Sequence, residues 1–464
     1  MSTSVSRVKS HPPAPESLAA TVGWWIGCLL LFVAPLIRGG NRGVALIGLE
    51  WLALALLVTV AWRAMAGERL IRGAGFVRWG LLLLATAPLW VALLQLTPMP
   101  PGLWSSLPGR GFYQEILQGL GLWDARWRPA SLMPDATQVS LLAAIPLVAC
   151  LFLGLTCPKD RLWLLFRVCV VAALLQALLG LAQLGPSKAL YFGAYFKGVI
   201  GTFANSNHLA GFLAMCLPLV VWEMLRAQRG RSSGRAWGWG GVLLVLLMTV
   251  FATGSRAGLG VAVLVTALAL LLLPGERGPV PWRWRLLLLA GLLGAGLLAA
   301  GAAGLRGFGP AALARGLGTR QVMFLETWEA SKAFWPLGSG LGTFSGVYPR
   351  FQTGVSGRYF VEHAHSDYVQ FLMETGLLGV VLGALVLALL AVRANDLRRR
   401  LSHESGLRRE DEARLAAGLG LLALLLHAWV DFNMRIPALA MLGAFLFGVF
   451  VRSQRDAGNE HVVI

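Results

Sequence analysis

Residues 361–392 read VEHAHSDYVQFLMETGLLGVVLGALVLALLAV, a polar segment that runs directly into an apolar one. The apolar part, 376–392, is nearly long enough to cross a bilayer as a helix. The polar part closes a longer polar island, 305–374, which separates two apolar blocks of the chain. Ionisable groups are costly to hold at a membrane, so this junction is where we look for chemistry.

The rest of the chain shares the apolar character. Of its 464 residues, 56% are hydrophobic and 13% are charged, and the mean hydropathy is +0.67. This composition is typical of an integral membrane protein. With about 20 apolar residues needed per helix, the sequence predicts an all-α polytopic fold with about twelve transmembrane helices. We place them near 19–37, 43–62, 79–96, 138–155, 162–184, 207–225, 237–253, 257–273, 286–304, 376–392, 415–430 and 437–451.

The net charge of +18 is distributed in a way that predicts orientation. Lysines and arginines concentrate in alternate short connections, for example Arg226–Arg235 and Arg398–Arg400. The positive-inside rule then places these connections and both termini in the cytoplasm. The basic residues lie beside the predicted spans and contain no nucleic-acid-binding motif, so we expect no nucleic acid partner.

The predicted domain organisation is one membrane domain with tails. The first apolar run begins late and lacks a small-x-small cleavage site, so we expect a first span and not a cleaved signal peptide. The prediction comprises a disordered cytoplasmic tail at 1–18, a membrane domain at 19–455 with long outer loops at 97–137 and 305–373, and a cytoplasmic tail at 456–464. The second loop should contain short helices, since apolar residues recur at helical spacing in 321–334. Tryptophans of the first loop, Trp104 among them, are predicted to be interfacial anchors.

All five cysteines lie in or beside apolar spans, and none lies in the long outer loops. This arrangement contains neither a disulfide framework nor a zinc-type spacing. We therefore expect them to be small core residues.

His363 and His365 are two residues apart and cannot share a helical face. They suit an extended segment that leads into a helix capped by Ser366, with Asp367 in its first turn. The positive end of that helix would keep the imidazole of His365 neutral, which makes it a candidate general base for a hydroxyl. The alternative is a pair of interfacial histidines with structural hydrogen bonds. A metal site is less favoured, because no third ligand stands at a useful spacing.

Three cationic residues are candidates for binding an anion. Arg256 lies in a tight turn between two predicted spans, and Arg320 begins the amphipathic part of the long loop. A guanidinium matches the geometry of a phosphate. Lys197 lies just before Gly201 and is the third candidate. Snorkelling to lipid headgroups is the alternative for each of them, and for Lys197 alone we favour it.

Polar turns supply the remaining candidates. Asn205 and Asn207 precede an apolar helix, where capping would aim backbone N–H groups at an anion or simply begin the helix. Residues 338–342, GSGLG, would form a weak backbone nest without the ending of a P-loop. Asp431 and Arg435 share a short turn before the last span, where they would either pair with each other or orient residues of the long loop.

Taken together, these segments resemble the O-antigen ligase and O-antigen polymerase superfamily of bacterial membrane glycosyltransferases. The resemblance covers about 190–380 together with the Asp431 turn, and the first 180 residues match in hydropathy alone. It is carried by Gly201-Thr202-Phe203 with Asn205 and Asn207, Ser255-Arg256, Arg320, Pro336-Leu337-Gly338 with Gly340 and Gly342, His365 with Tyr368, Glu374 to Gly379, and Asp431-Phe432-Asn433.

The resemblance implies a metal-independent enzyme of the bacterial inner membrane, with its active site at the periplasmic face and no cofactor. Its donor would be a glycan on undecaprenyl diphosphate, and its acceptor a glycan or lipid A-core in O-antigen or exopolysaccharide assembly. A chain-length regulator or export proteins would be further partners. Carried over residue by residue, His365 is the general base, and Arg256 and Arg320 hold the diphosphate. The substrate-binding candidates are Lys197, Asn205, Asn207, His363, Asp431 and Arg435.

One departure from the family pattern concerns Lys197, which stands where relatives commonly have an arginine. A lysine supplies a point charge without a bidentate fork. Within the superfamily we favour a repeat-unit polymerase over a ligase, because the loop and the Asp431 turn resemble that branch.

The alternative from another class is a polytopic transporter or a lipid-linked sugar flippase. Such a protein predicts ionisable groups near the bilayer midplane on broken helices. Here the middles of the predicted spans are almost free of charge, and polar residues gather at one surface.

Overall fold

The computed structural model describes residues 17–68, 70–71, 75–185, 198–230, 232–274, 290–291, 294, 310–353, 360–401 and 408–452. Lys197, most of the predicted span at 286–304, the tail at 456–464 and nearly all of the tail at 1–18 lie outside the described residues.

The described chain is built from helices, as the composition predicts. The first eight helices are α1 Leu18–Val33, α2 Gly43–Met65, α3 Gly75–Ala85, α4 Ala87–Gln95, α5 Pro101–Ser106, α6 Gly111–Gly119, α7 Pro134–Thr156 and α8 Lys159–Ala182. The next eight are α9 Ser206–Arg229, α10 Ser233–Ala252, α11 Arg256–Leu272, α12 Pro310–Ala333, α13 Phe344–Val347, α14 Asp367–Leu401, α15 Arg409–His427 and α16 Pro437–Val451. Two short strands, β1 Pro98–Met99 and β2 Arg128–Pro129, pair antiparallel in the first long loop.

Six helices of the described chain are long and apolar enough to cross a membrane, judged by length and composition. They are α2, α7, α8, α9, α10 and α14. The pair α3 and α4 is bent by 58° and would make a seventh span if it is counted as one. The shorter helices α1, α11 and α16 are also apolar. The fold is therefore an all-α membrane architecture, whereas the count of twelve spans stays a prediction.

Helix α9 forms the centre of the bundle. An apolar stretch of 18 residues in this helix is 100% buried. The helix packs against α8, α10, α11, α15 and α16. Small residues permit the close approaches. A side chain at Gly258 of α11 would lie 2.6 Å from Ala210 of α9, and one at Gly154 of α7 would lie 2.3 Å from the Phe445 carbonyl of α16. Close packing of backbones at small residues is the usual way in which helices associate within membranes.

The described part of the second long loop is largely helical. The amphipathic helix that the sequence predicts over 321–334 forms the second half of α12, which ends at Ala333 and packs against α14. The loop ends earlier than the predicted residue 373, because α14 begins at Asp367 and continues through a break at Gly376. Glycine at this position adopts φ 58° and ψ −138°, which only glycine adopts readily.

One prediction for the first long loop is wrong. Trp104 does not anchor the protein at an interface: its side chain is 3% exposed and donates a hydrogen bond from Nε1 to the Pro129 carbonyl at 2.9 Å. An indole that reaches a backbone acceptor is stable inside a folded loop.

Candidate functional site

Asp431 is the residue on which the site converges. Its carboxylate is fully buried and accepts hydrogen bonds from Asn207 Nδ2 at 2.6 Å and from the Phe432 backbone N–H at 2.9 Å. His365 Nδ1 lies 3.2 Å from Oδ1, and Arg320 Nη2 lies 3.5 Å from Oδ2. These contacts bring together four of the residues that the sequence nominates, from four separate segments of the chain.

The charge on Asp431 is stabilised by these neighbours. Burial acts to raise its pKa, but the hydrogen bond and the charge of His365, followed by His208 and Arg320, outweigh burial and hold the pKa well below the ordinary range. A carboxylate that accepts several hydrogen bonds beside cationic groups stays ionised. Asp431 is therefore a fixed negative charge in the site.

His365 is held in an unusual backbone conformation. Its φ of 52° is in the left-handed region, which is uncommon for residues other than glycine and occurs preferentially at functional sites. The side chain is 28% exposed, so the ring borders both the buried carboxylate and open space. With Nδ1 donating to Asp431, the second ring nitrogen, Nε2, is left as a proton acceptor. The tautomer follows from this hydrogen bond.

Asp367 begins α14 directly after this segment, as the sequence predicts, but the predicted cap at Ser366 is not formed. The Ser366 hydroxyl is buried and has no hydrogen-bond partner among the described residues. Instead, the carboxylate of Asp367 accepts the Met434 backbone N–H at 2.8 Å, and its own N–H donates to the Ala428 carbonyl at 2.9 Å. Contacts with the turn before α16 therefore fix this helix end.

Arg435 does not pair with Asp431. Its Nη2 donates to Glu374 Oε2 at 2.8 Å, and its Nε lies 3.8 Å from Asp367 Oδ1. The sequence left two interpretations of this turn: that Asp431 and Arg435 pair with each other, or that they orient other residues. The structure shows the second, since they contact residues of the long loop and of α14. The turn between Asn433 and Arg435 is a 3₁₀ turn, so residues 431 and 435 do not have the geometry of neighbours on an α-helix.

His363 is held by Gln370 and Phe432. Gln370 Nε2 lies 3.3 Å from His363 Nδ1 and donates to Glu374 Oε1 at 3.1 Å. The rings of His363 and Phe432 have centroids 4.5 Å apart. Burial and then the charge of Arg435 lower the pKa of His363 to about 3, against an opposing hydrogen bond from Gln370. His363 is therefore neutral at physiological pH.

The sequence gives little sign of a group of buried polar residues behind Asp431. His208, His427 and Asn433 are 3%, 1% and 0% exposed. Within the described ranges, His208 Nε2, both ring nitrogens of His427 and both side-chain polar atoms of Asn433 find no hydrogen-bond partner. In the sequence, this group could have been recognised from two histidines at helix ends: His208 near the start of α9 and His427 at the end of α15.

Asn205 caps α9 as predicted: its side chain accepts the Asn207 N–H at 2.9 Å. The preceding Gly201-Thr202-Phe203 turn is held by two buried glutamines of the α8 end. Gln183 Oε1 accepts the Ile200 and Gly201 N–H groups at 2.9 Å, and Gln176 Oε1 accepts the Thr202 N–H at 2.9 Å. This turn positions the start of α9 at the site.

The predicted backbone nest at 338–342 is wrong. The amides of residues 338–340 donate to the carbonyls of Phe334, Met373 and Glu374 at 2.9 to 3.0 Å, and the Leu341 amide donates to Gln95 Oε1 at 2.8 Å. These N–H groups are used within the loop and in joining it to α14 and α4, so they do not face an anion. The glycines are needed for close contact, since a side chain at Gly338 would lie 2.5 Å from the Glu374 carbonyl oxygen.

Arg256 is the first residue of α11, and Ser255 caps this helix by accepting the Gly258 N–H at 3.2 Å. Gly258 packs against Ala210, so this helix start lies beside the α9 end that carries Asn207. Arg256 Nη1 is buried and has no hydrogen-bond partner in the part of the chain that the structure describes. A buried guanidinium N–H without an acceptor is costly, and an anionic ligand would satisfy it.

Among the described residues, no group of three or more His, Cys, Asp or Glu side chains is arranged to hold a metal ion. The five cysteines are free and buried, in agreement with the expected core role.

A family model described as O-antigen ligase matches residues 241–384, which is less than half of the 464 residues. The matched region contains Arg256, Arg320 and His365, whereas Asn207 and Asp431 lie outside it. No curated protein matches the chain at a significant level.

The fold is that of a polytopic membrane protein, and this match indicates, at the general level, an enzyme of the membrane glycosyltransferase type. Residues 241–384 are similar to the O-antigen ligase family, and the resemblance to the O-antigen ligase and polymerase superfamily is confirmed for this region.

Proposed function

We propose that this protein transfers a glycan from undecaprenyl diphosphate to a sugar hydroxyl at the periplasmic face of the inner membrane. The observation that carries the proposal is the shared contact of His365 and Arg320 with the buried Asp431. A candidate base and a candidate diphosphate ligand therefore contact the same carboxylate. Transfer from a diphosphate requires both groups at one place.

In the proposed step, His365 Nε2 removes the proton of the acceptor hydroxyl as its oxygen attacks the anomeric carbon of the donor. The bond from this carbon to the diphosphate oxygen breaks, and its electron pair leaves with the lipid diphosphate. Asp431 stabilises the imidazolium that forms, because it accepts the hydrogen bond from Nδ1. The leaving group stores the free energy for the reaction, so the step needs no nucleotide.

Arginines would bind the diphosphate as negative charge develops on it. Arg320 is 36% exposed and, within the described ranges, is held by one ion pair with Asp431, at 3.5 Å, which leaves guanidinium donors for a substrate. Nη1 of Arg256, which has no hydrogen-bond partner among the residues that the structure describes, would supply a further donor near the start of α9. Two guanidinium groups that are already in position stabilise such a charge at little reorganisation cost.

A transporter is less well supported. Charged residues are absent from the sequence between His208 and Glu223 in α9 and between Arg414 and His427 in α15. A pathway for ions or sugars through these central helices would need polar groups along it.

We favour a repeat-unit polymerase over a ligase on resemblance, and the product of the reaction tests this. Purified protein in lipid is given a lipid-linked repeat unit with or without lipid A-core, and the products are separated by size. A ladder of repeats indicates a polymerase, and single transfer to lipid A-core indicates a ligase. If the wild type forms neither product from any such donor, the proposal is wrong. The polysaccharide of a deletion strain gives the same distinction in cells.

The His365→Ala variant tests the role of the base. We expect transfer to fall by about two to four orders of magnitude, and added imidazole to restore part of the activity. Undiminished transfer in this variant would remove the proposed base. A loss that imidazole does not rescue, in a protein that unfolds at a lower temperature, would indicate a structural role.

A further inference from the structure

A cavity with charged residues in its lining lies at the other end of the helix bundle from Asp431. It has a volume of about 330 Å³ and lies among the starts of α8 and α15 and the end of α9. Helix α9 connects the two sites, since Asn207 contacts Asp431 and Arg226 lines this cavity. At 1.5 Å per residue, these two positions are roughly 28 Å apart. We call it the basic-end cavity.

Positive charge dominates its lining. The cationic residues are Lys159, Arg226, Arg409, Arg414 and Arg452, and the carboxylates are Asp160 and Glu410. Lys159 and Arg452 share Glu410. Cations therefore outnumber carboxylates in the lining itself, while Glu223, Asp396 and Asp411, which pair with Arg226 and Arg414, lie outside the lining.

The hydrogen bonds of Arg414 are the main evidence for an anionic ligand. It is 2% exposed; Nε donates to the Phe450 carbonyl at 3.1 Å, and Nη1 lies 3.4 Å from both Asp396 and Asp411. Its Nη2 is buried and, over the described ranges, has no hydrogen-bond partner. Since a buried guanidinium N–H without an acceptor is costly, an oxygen within the cavity would stabilise it.

Two further features fit a phosphate at a membrane surface. Lys159 and Arg409 are the first residues of α8 and α15, so the positive ends of two helix dipoles meet at the cavity. Trp163 and Trp222 also line it, and the guanidinium of Arg226 lies 5.6 and 5.3 Å from their ring centroids. Tryptophan and arginine together are typical of the zone where headgroups lie.

We propose that the basic-end cavity binds the phosphate group of an anionic lipid headgroup. The guanidinium of Arg414 would donate to a phosphate oxygen from within, and Arg409, which is exposed at the rim, would add a second charge. The volume is in the range of pockets that hold small ligands. A free phosphate ion has the same chemistry, so the experiment separates these two sources.

The test uses the full chain in an uncharged detergent and native mass spectrometry. Phosphatidylglycerol, phosphatidylcholine and inorganic phosphate are titrated in turn. We expect preferential retention of phosphatidylglycerol, weakened about fivefold by Arg409→Gln, as the loss of one cation near an anionic surface implies. Ala413→Phe fills the cavity without changing its charge and should abolish retention.

Arg235→Gln is the matched control. Arg235 follows the same end of α9 but bonds Ser232 at 2.8 Å and lies outside the lining, so its removal should leave retention unchanged. Equal weakening by Arg235→Gln would indicate attraction to the surface as a whole and overturn the proposal. Equal retention in all variants would also overturn it, and saturation by inorganic phosphate without lipid preference would assign the site to a free ion instead. Melting temperatures of each variant confirm that it is folded.

Discussion

At the scale of single residues, Asp431 combines burial with a full set of partners. Four groups contact its two oxygens, and one of them is the imidazole of His365. A buried carboxylate in this position both orients the ring and determines which nitrogen carries the proton. The proposed reaction therefore requires the charge of Asp431 as well as its shape.

Replacement of Asp431 by Asn keeps the shape and removes the charge. We expect transfer to fall by about two to four orders of magnitude, because the imidazole loses both its fixed tautomer and the stabilisation of its protonated form. Single-turnover transfer from a lipid-linked donor measures this. The control is Asp124→Asn, which breaks a half-exposed ion pair with Arg126 and Arg128 and should leave transfer unchanged. If both variants retained full activity, Asp431 would have no part in the reaction.

Arg256→Lys tests the need for a guanidinium. A lysine keeps the charge but loses the fork, so we expect transfer to fall by about tenfold to a hundredfold through lost hydrogen bonds to the diphosphate. The protein should still insert and purify normally. Arg126→Lys, at a side chain that is 87% exposed, is the control. Unchanged turnover in Arg256→Lys would indicate that Arg256 only snorkels to lipid headgroups and does not bind the diphosphate.

His363 predicts a pH dependence of stability. Its pKa of about 3 in the folded protein lies below its ordinary 6.5. The stability that this shift contributes is fully present above pH 6.5 and is lost as the pH falls toward 3, since the unfolded chain takes up the proton first. We expect the melting temperature of the wild type, relative to that of His363→Gln, to fall between pH 7 and pH 4. Asp431 is present in both proteins, so the stability that it loses below about pH 5, where the unfolded carboxyl takes up protons, cancels in this comparison. Identical slopes in the two proteins would contradict the shift.

At the scale of elements, the break in α14 holds the site together. Gly376 lies two residues beyond Glu374, and a side chain there would lie 2.0 Å from the Pro336 carbonyl oxygen. The break therefore lets α14 rest against the loop that ends α12. Through Glu374 it also fixes Arg435 and Gln370.

Gly376→Ala should lower both the melting temperature and transfer activity. A side chain at φ 58° is strained, and the contact with Pro336 forces α14 and the loop apart. Gly383→Ala is the control, since a side chain there meets nothing within 4 Å and alanine favours a helix. If the two variants melted at the same temperature, the break would not be a structural requirement.

Sequence patterns predict where the helices lie better than they predict which side chains contact each other. The predicted span at 207–225 lies within α9, and the start of α14 at Asp367 follows from the end of the polar segment. The partner of Arg435 was not predictable, because Glu374 reaches it across separate segments of the chain. Likewise, the glycine-rich 338–342 suggests a nest, whereas tertiary contacts use its amides. Long-range contacts of this kind leave no local spacing to detect.

At the scale of the whole molecule, the location of the site can be tested by labelling. The native cysteines are all buried, so an introduced cysteine should be the reactive one. We expect Ser106→Cys, in the first long loop, to react with an impermeant maleimide in intact cells, and Ser233→Cys, at the start of α10, to react only after permeabilisation. Both positions are exposed. The reverse pattern would place the site in the cytoplasm and refute the proposed periplasmic reaction.

Because other helices surround α9, residues cannot be inserted into it or deleted from it without disturbing its contacts. One residue added in the middle of α9 would turn its far end by about 100° and advance it by about 1.5 Å. Asn207 and Arg226 would then no longer both meet their neighbours, and the surrounding helices leave no space for a compensating rotation. In α2, only 28% of the apolar 18-residue stretch is buried inside the protein, so this helix could accommodate the same insertion by rotating in lipid. Single-residue insertions and deletions should therefore be excluded from α9 and tolerated in α2.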